Sequence, residues 1–178
     1  MSLSNSVTPS GDLGAWRVME PPPVDFASVE YIVSNASITE AWEKVRSNKG
    51  APGADGISIE EFPKWVRPQW KDIKKQLLHG IYKPSPALRV EIPKESGGVR
   101  RLGIPRVLDR VLMQAIARVL GEIFNPTFSD NSFGYMPHRS VQQAARRAQS
   151  FYQQGYTIQV DIDLEKFFDT VNHDVLME

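Results

Sequence analysis

Between residues 107 and 124 the apolar side chains keep a helical period. Val107, Leu108, Val111, Leu112, Ala115, Ile116, Val119, Leu120, Ile123 and Phe124 recur at i, i+1 and i+4. The pattern predicts a helix with one buried stripe, and Arg106, Asp109, Arg110 and Gln114 fall off it. Ile38, Ala41, Trp42 and Val45 show the same period over a shorter length, after Ser37-Ile38-Thr39-Glu40. Ser followed three residues later by Glu is a capping box, so Ser37 is the expected N-cap of a helix that ends near Asn48-Lys49-Gly50. Ser58-Ile59-Glu60-Glu61 is a second box. It predicts a helix to about Tyr82, broken near Pro68. Trp70, Leu77, Leu78 and Ile81 are its expected core side, with Lys71, Lys74 and Lys75 on its wet face. Ser140 begins a further helix through about Gln154. Ala144, Ala145, Ala148 and Phe151 would be buried on it, Arg146 and Arg147 would face away, and Gly155 would end it. Asn172-His173-Asp174 starts a last one.

Two stretches alternate instead. Leu88 to Ile92 switches between apolar and charged, Pro93 to Gly98 turns the chain, and Val99 to Ile104 returns, which predicts a β-hairpin. Tyr156, Ile158, Val160 and Ile162 alternate with Thr157, Gln159, Asp161 and Asp163, the pattern of a half-buried strand. Residues 1 to about 28 have no period, and Pro21-Pro22-Pro23 is stiff and extended. The expected class is α+β, mostly helical, with one hairpin and one further strand.

Composition narrows the chemistry. The chain has 178 residues and no cysteine, which excludes disulfides, thiolate zinc sites and a cysteine nucleophile. No apolar run reaches the roughly 18 residues of a membrane span, and the N-terminus lacks a secretory pattern. A cytoplasmic protein without a membrane partner is expected. Net charge is zero, with 21 basic and 21 acidic residues, but the charge is uneven. From Lys83 to Arg147 there are eleven Lys or Arg against five Asp or Glu. Arginine dominates there, and its flat fork suits phosphate. Ordinary solvated surface accounts for the count equally well.

Several short stretches are candidates for chemistry. Asp161 and Asp163 share a face if the strand forms, and two such carboxylates invite a divalent metal. A solvated acidic face is the plain alternative. Asn48 to Ile57 holds Gly50, Gly53 and Gly56 but lacks the Gly-Lys-Ser/Thr ending of a phosphate loop. Lys94, Arg100 and Arg101 would crowd at the hairpin tip, where an anion could sit between them. Charges that merely keep the hairpin soluble are the alternative. Phe128 to Ser140 mixes aromatics with Arg139, suited either to stacking bases or to anchoring a loop.

Asp163-Leu164-Glu165-Lys166-Phe167-Phe168-Asp169, followed by Thr170-Val171-Asn172-His173-Asp174, resembles the first catalytic-aspartate motif of reverse transcriptases encoded by group II introns. Three other strings are similar to motifs of that family and stand in its order. They are Asn48 to Ile57, Ile92 to Pro105 with the start of the helix that follows, and Ser132 to Ser140. The resemblance covers about residues 37 to 178. It implies the fingers and partial palm of a right-hand polymerase. Residues 1–36 would be a leader, 37–154 the fingers and 155–178 the start of the palm.

The resemblance also implies roles. Asp163 takes the place of the aspartate that binds two Mg²⁺ ions, with Asp161 as a second candidate. Phe168 takes that of the aromatic which rejects a sugar 2′-hydroxyl. Lys94 and Arg100 match a pair that grips the incoming dNTP triphosphate. Arg101, Arg106, Arg110, Asn131, Ser132 and Arg139 fall along the RNA template, which would be intron RNA, and the DNA primer. His138 stands where the family commonly has glycine. The family's Tyr-x-Asp-Asp string, which supplies the remaining carboxylates, does not occur in these 178 residues. The chain by itself is therefore expected not to polymerise. An RNA-binding maturase module is the alternative from another class. A DxD glycosyltransferase is a third, and it leaves the other three strings unexplained.

Overall fold

The computed structural model describes residues 27–178 except Lys94, Ser96, Glu165, Lys166, Glu178 and the side chain of Asp169. The expectations for the leader before residue 27 and for Lys94 lie outside the described residues. The chain forms two compact units, one running to Phe128 and one starting at Ser129.

The first unit contains α1 (Val29–Ile32), α2 (Asn35–Ser47), α3 (Phe62–Leu78), β1 (Leu88–Pro93), β2 (Val99–Ile104) and α4 (Val107–Phe124). The bounds of α4 are those the apolar period predicts. Its buried face, Val107, Leu108, Val111, Leu112 and Ala115, packs with Ala41 and Val45 of α2, Phe62 and Ile73 of α3, and Ile59. Trp42 and Trp65 flank Phe62 at ring distances of 5.0 and 6.1 Å.

The single stripe expected on α4 divides. Ile116, Leu120 and Phe124 are exposed, as is Met113. At about 100° per residue these four lie roughly opposite the buried face. The period signalled a helix, but α4 is apolar on two sides and only one is covered within this unit.

α2 starts earlier than expected. Ser34 is its N-cap and accepts from the Ser37 amide at 3.3 Å. Ser37 is buried inside the helix, where its hydroxyl accepts from Arg118 Nη2 at 3.1 Å. Arg118 also donates to Glu122 Oε1 at 3.0 Å and stacks over the Tyr31 ring at 5.5 Å. Its Nε lies 3.4 Å from Glu40 Oε2, near enough for charge attraction without hydrogen-bond alignment. Glu40 is thus a partner of α4 rather than half of a capping box.

Ahead of α3 the second box does form. The Glu61 amide donates to Ser58 Oγ at 3.2 Å, and the Ser58 amide to Glu61 Oε2 at 3.1 Å. The helix then runs through Pro68 without a break. The one bond that Pro68 removes is to the exposed Lys64 carbonyl, where water can serve instead. α3 stops at Leu78 in a Schellman turn: Gly80 takes φ 66°, and the Ile81 amide donates back to the Gln76 carbonyl at 3.0 Å. Leu77, Trp70 and Tyr82 pack on the core, while Leu78 and Ile81 are exposed, contrary to expectation. The turn redirects the chain before either reaches the core.

β1 and β2 pair antiparallel as predicted, with Ile92 opposite Arg100 and Glu91 opposite Arg101.

The second unit contains α5 (Val141–Gln153), α6 (Phe167–Thr170) and α7 (His173–Met177). Ser140 and Gln143 close a capping box on α5. Gly155, at φ 97°, ends it in a second Schellman turn, sealed by Phe151 and Tyr156 edge to face at 5.9 Å. Asn172 caps α7 through the Asp174 and Val175 amides at 3.0 and 3.2 Å. Two expectations fail here. α5 buries no residue fully; Ala145 and Ala148 are exposed, and Ala144 and Phe151 are half-buried. Residues 156–164 form no strand, and Ile158, Val160 and Ile162 are exposed. A strand needs a partner for its backbone groups and its apolar face. The only paired strands among the described residues are β1 and β2.

Candidate nucleotide and nucleic-acid site

Strand pairing sets the direction of each hairpin cation. Residues opposite one another share a face, and neighbours alternate. Arg100 therefore lies on the face of Val90, Ile92 and Leu102, and Arg101 lies on the other with Arg89 and Glu91. The two arginines do not crowd together. Arg101 Nε donates to Glu91 Oε1 at 3.2 Å, and both are exposed. Arg100 is exposed and has no hydrogen-bond or ion-pair partner among the described residues. Among the described residues the hairpin thus presents Arg101 neutralised on one face, and Arg100, without such a partner, on the other.

Immediately after β2, Pro105-Arg106 leads into α4, and the glycine loop docks there. Gly53 is buried against this segment; a Cβ on it would lie 2.5 Å from Arg106 Cα and 2.6 Å from Arg106 N. Gly50 meets the Arg110 guanidinium, whose Nη2 donates to the Ala51 carbonyl at 2.7 Å. The glycines serve close packing on the start of α4.

Beneath this junction is a buried polar network that the sequence did not suggest. Asp109 Oδ1 accepts from the Tyr82 hydroxyl at 2.6 Å. Its Oδ2 accepts from Arg106 Nε at 2.9 Å and from the Ser85 amide at 3.3 Å. Arg106 Nη2 donates in turn to Tyr82 Oη at 2.7 Å. The one available signal was an acid three residues after an arginine at the head of an apolar helix. Tyr82 and Ser85, over twenty residues earlier, carry no local signal. Arg106 and Arg110 are therefore both engaged within the protein.

Burial, and then the hydrogen bond to Asp109, push the Tyr82 hydroxyl up to about 12. The folded state holds this proton more tightly than the unfolded chain. Its contribution is therefore fully present below pH 10 and is lost as pH rises from about 10 to about 12. Tyr82 is only partly buried, so roughly 1 kcal/mol is the expected size after screening. Urea midpoints at pH 9 and pH 11.5 should fall further for the wild type than for Tyr82→Phe. Equal falls would mean that Tyr82 does not titrate in the folded protein.

In the second unit Arg139 acts as a staple for its own loop. It donates to the Ser129 and Ser132 carbonyls, lies 3.5 Å from Asp130, and stacks over Phe133 at 6.0 Å. Asn131 Oδ1 accepts from Arg147 Nε at 2.7 Å. Phe133 is half-buried and Tyr135 fully exposed. His138 takes φ 59°, the left-handed conformation that glycine adopts most easily, which explains the glycine of the family pattern at that place.

Asp161 and Asp163 are exposed, and Asp163 Oδ1 accepts from the Leu164 amide at 3.0 Å. Phe168 is exposed and meets Phe167 edge to face at 5.4 Å. No group of three His, Cys, Asp or Glu able to hold a metal gathers among the described residues. Two carboxylates are too few ligands for a pair of Mg²⁺ ions. The donor set among the described residues does not by itself fit that site.

Residues 92–178 match the reverse transcriptase (RNA-dependent DNA polymerase) family. The LtrA protein of Lactococcus lactis subsp. cremoris, named as group II intron-encoded, is 32% identical over 145 residues, 77% of this chain and 23% of LtrA. The chain belongs to the family of group II intron-encoded reverse transcriptases and maturases. Protein YkfC of Escherichia coli K12 is 33% identical over 172 residues, 93% of this chain and 45% of YkfC. The putative COX1/OXI3 intron 2 protein of Saccharomyces cerevisiae is 32% identical over 144 residues. The chain spans less than half the length of these relatives. Its helices and antiparallel hairpin bear out the α+β class. No helix among the described residues is long and apolar enough to cross a membrane.

Proposed function

We propose that this chain supplies the fingers and the first palm motif of a cytoplasmic RNA-directed DNA polymerase. The observation that carries the reading is the hairpin: Arg100 exposed and without a partner among the described residues, beside Arg101 already neutralised by Glu91. A cation left free next to one that is paired is suited to an external phosphate. In the reaction a primer 3′-oxygen attacks the α-phosphorus of a dNTP and pyrophosphate leaves. Arg100 and Lys94 would hold the β- and γ-phosphates, and Phe168 would lie against the sugar. Asp163, with Asp161, would give carboxylates to Mg²⁺, and the other ligands would have to come from beyond these residues. Arg101, Arg106, Arg110, Asn131, Ser132 and Arg139 would serve the RNA template and DNA primer. Since Arg106, Arg110 and Arg139 have internal partners, their part is to shape the segments that meet those strands.

The test is fluorescence anisotropy of an RNA template annealed to a DNA primer, with and without the matching dNTP. The dNTP should tighten the complex, and Arg100→Ala should weaken that effect by about tenfold. No dNTP effect in the wild type overturns the clamp. Purified 178-residue chain should give no primer extension; extension would show that the carboxylates present suffice. A second reading is an RNA-holding maturase module that assists splicing without polymerase chemistry. It is supported by the gathering of no more than two acids at Asp163 among the described residues. It predicts RNA binding that dNTP does not alter.

A further inference from the structure

The exposed face of α3 carries a feature that the polymerase reading leaves unused. Lys64, Arg67, Lys71, Lys74 and Lys75 follow one another at intervals of three, four, three and one residues. At about 100° per residue they fall within a sector of roughly 100°, one stripe along the helix. The stripe is about 16 Å long. Four of the five are exposed and Lys74 is half-buried. None of them has an ion-pair partner among the described residues, and Asp72, the only acid of α3, is not within ion-pair distance of any.

Four arginines elsewhere in the described residues are ion-paired. Arg101 has Glu91, Arg106 has Asp109, Arg118 has Glu40 and Glu122, and Arg139 has Asp130. On α3, by contrast, like charges sit three and four residues apart, an arrangement that weakens a helix. The opposite side of α3, with Phe62 and Ile73, is locked into the core, so the stripe cannot turn away from solvent.

We infer that this stripe is a second nucleic-acid surface, which holds the phosphate backbone of an RNA duplex. A straight row of cations follows a strand of a duplex, which presents several phosphates over such a length. No aromatic lies among them, since Trp65 and Trp70 pack toward the core. The face therefore lacks the stacking platform that single strands require, whereas duplex RNA is recognised by backbone and shape. A membrane-binding basic helix needs an exposed apolar side, and that of α3 is buried. The choice of RNA over DNA rests on the function proposed above; the affinity for phosphate does not.

The test is anisotropy of a labelled blunt RNA duplex of about 16 base pairs with the 178-residue chain across a salt series. A variant carrying Lys71→Gln, Lys74→Gln and Lys75→Gln should bind at least about tenfold more weakly at low salt. Its log–log salt slope should be shallower by about 2–3, one unit for each phosphate that is no longer neutralised. Its melting curve should match the wild type, and Lys64→Gln with Arg67→Gln gives an independent second variant. Lys44→Gln, at an exposed lysine outside the stripe, should leave duplex binding unchanged. An unchanged slope in both α3 variants, or no duplex binding at low salt, overturns the inference. Equal binding to a DNA duplex overturns the assignment to RNA. If the α3 variants bind duplex like the wild type while Arg100→Ala loses the dNTP effect, this surface falls and the polymerase reading stands. The reverse pattern keeps this surface and removes the clamp.

Discussion

Asp109→Ala should destabilise the first unit by about 3–5 kcal/mol, the usual cost of leaving one member of a buried ion pair alone. The Asp109 side chain is 6% exposed and that of Arg106 17%. Without the carboxylate, the Arg106 Nε, the Tyr82 hydroxyl and the Ser85 amide all lose their acceptor. Little water can replace it. Tyr82→Phe removes two bonds, the one given to Asp109 and the one taken from Arg106, and leaves Asp109 with two partners, so about 1–2 kcal/mol is expected there. Asp109→Asn should fall between the two. Urea unfolding followed by tryptophan fluorescence measures all three, because Trp42, Trp65 and Trp70 line the core. If Asp109→Ala cost no more than Tyr82→Phe, the ion pair would contribute nothing beyond its neutral hydrogen bond.

The network shows where sequence patterns stop being informative. α4, the hairpin and the caps of α5 were legible because their signals are local: an apolar period, an alternation, a Ser with a Gln three residues on. The choice of cap at α2 was not. Ser34 and Ser37 are both reasonable N-caps, and what separates them is Arg118, over eighty residues away, which takes the Ser37 hydroxyl. The apolar stripe of α4 had the same limit. Periodicity shows that a face is apolar, but packing decides which part is covered, and Ile116, Leu120 and Phe124 stay exposed. The alternation of residues 156–163 describes a segment able to pair, yet pairing requires a second strand.

The candidate site was legible in its motifs and not in its use of charge. A count of arginines between residues 83 and 147 cannot tell a solvated guanidinium from one bound to a carbonyl. Arg100 and Arg101 differ by one position in sequence and by a whole face in the hairpin. Arg106, Arg110, Arg118 and Arg139 hold the protein's own loops and helices together. Conversely, the lysines of α3, taken from sequence as an ordinary wet face, are joined by Lys64 and Arg67 in a stripe without ion-pair partners among the described residues. His138 is the instructive departure. Its positive φ supplies the physical reason for a glycine at that place, and histidine is among the side chains that tolerate it better than most.

Gly53→Ala carries the second large effect expected. The added Cβ would meet Arg106 Cα at 2.5 Å, Arg106 N at 2.6 Å and the Pro105 carbonyl carbon at 2.9 Å. All three are backbone atoms, so no rotamer change relieves the overlap. Either the loop lifts from α4 or the start of α4 moves, at about 2–3 kcal/mol. Gly56→Ala is the control. Gly56 has φ 70° with nothing within 4 Å of a new Cβ, so only backbone strain of about 1 kcal/mol is expected. The same urea titration separates the two, and equal losses would show that the loop does not pack on Arg106. Because Gly53 and Asp109 both act on Arg106, their effects should not add. Once Asp109→Ala has loosened Arg106, the clash at Gly53 has room to relax, and the double variant should lose less than the sum of the single losses. A sum that is fully additive would mean that loop docking and the buried ion pair are independent. A shortfall would make the junction of the glycine loop, the hairpin and α4 one mechanical unit. In such a unit, the glycine loop would be held by the same arginine that anchors the end of the hairpin proposed to grip the nucleotide.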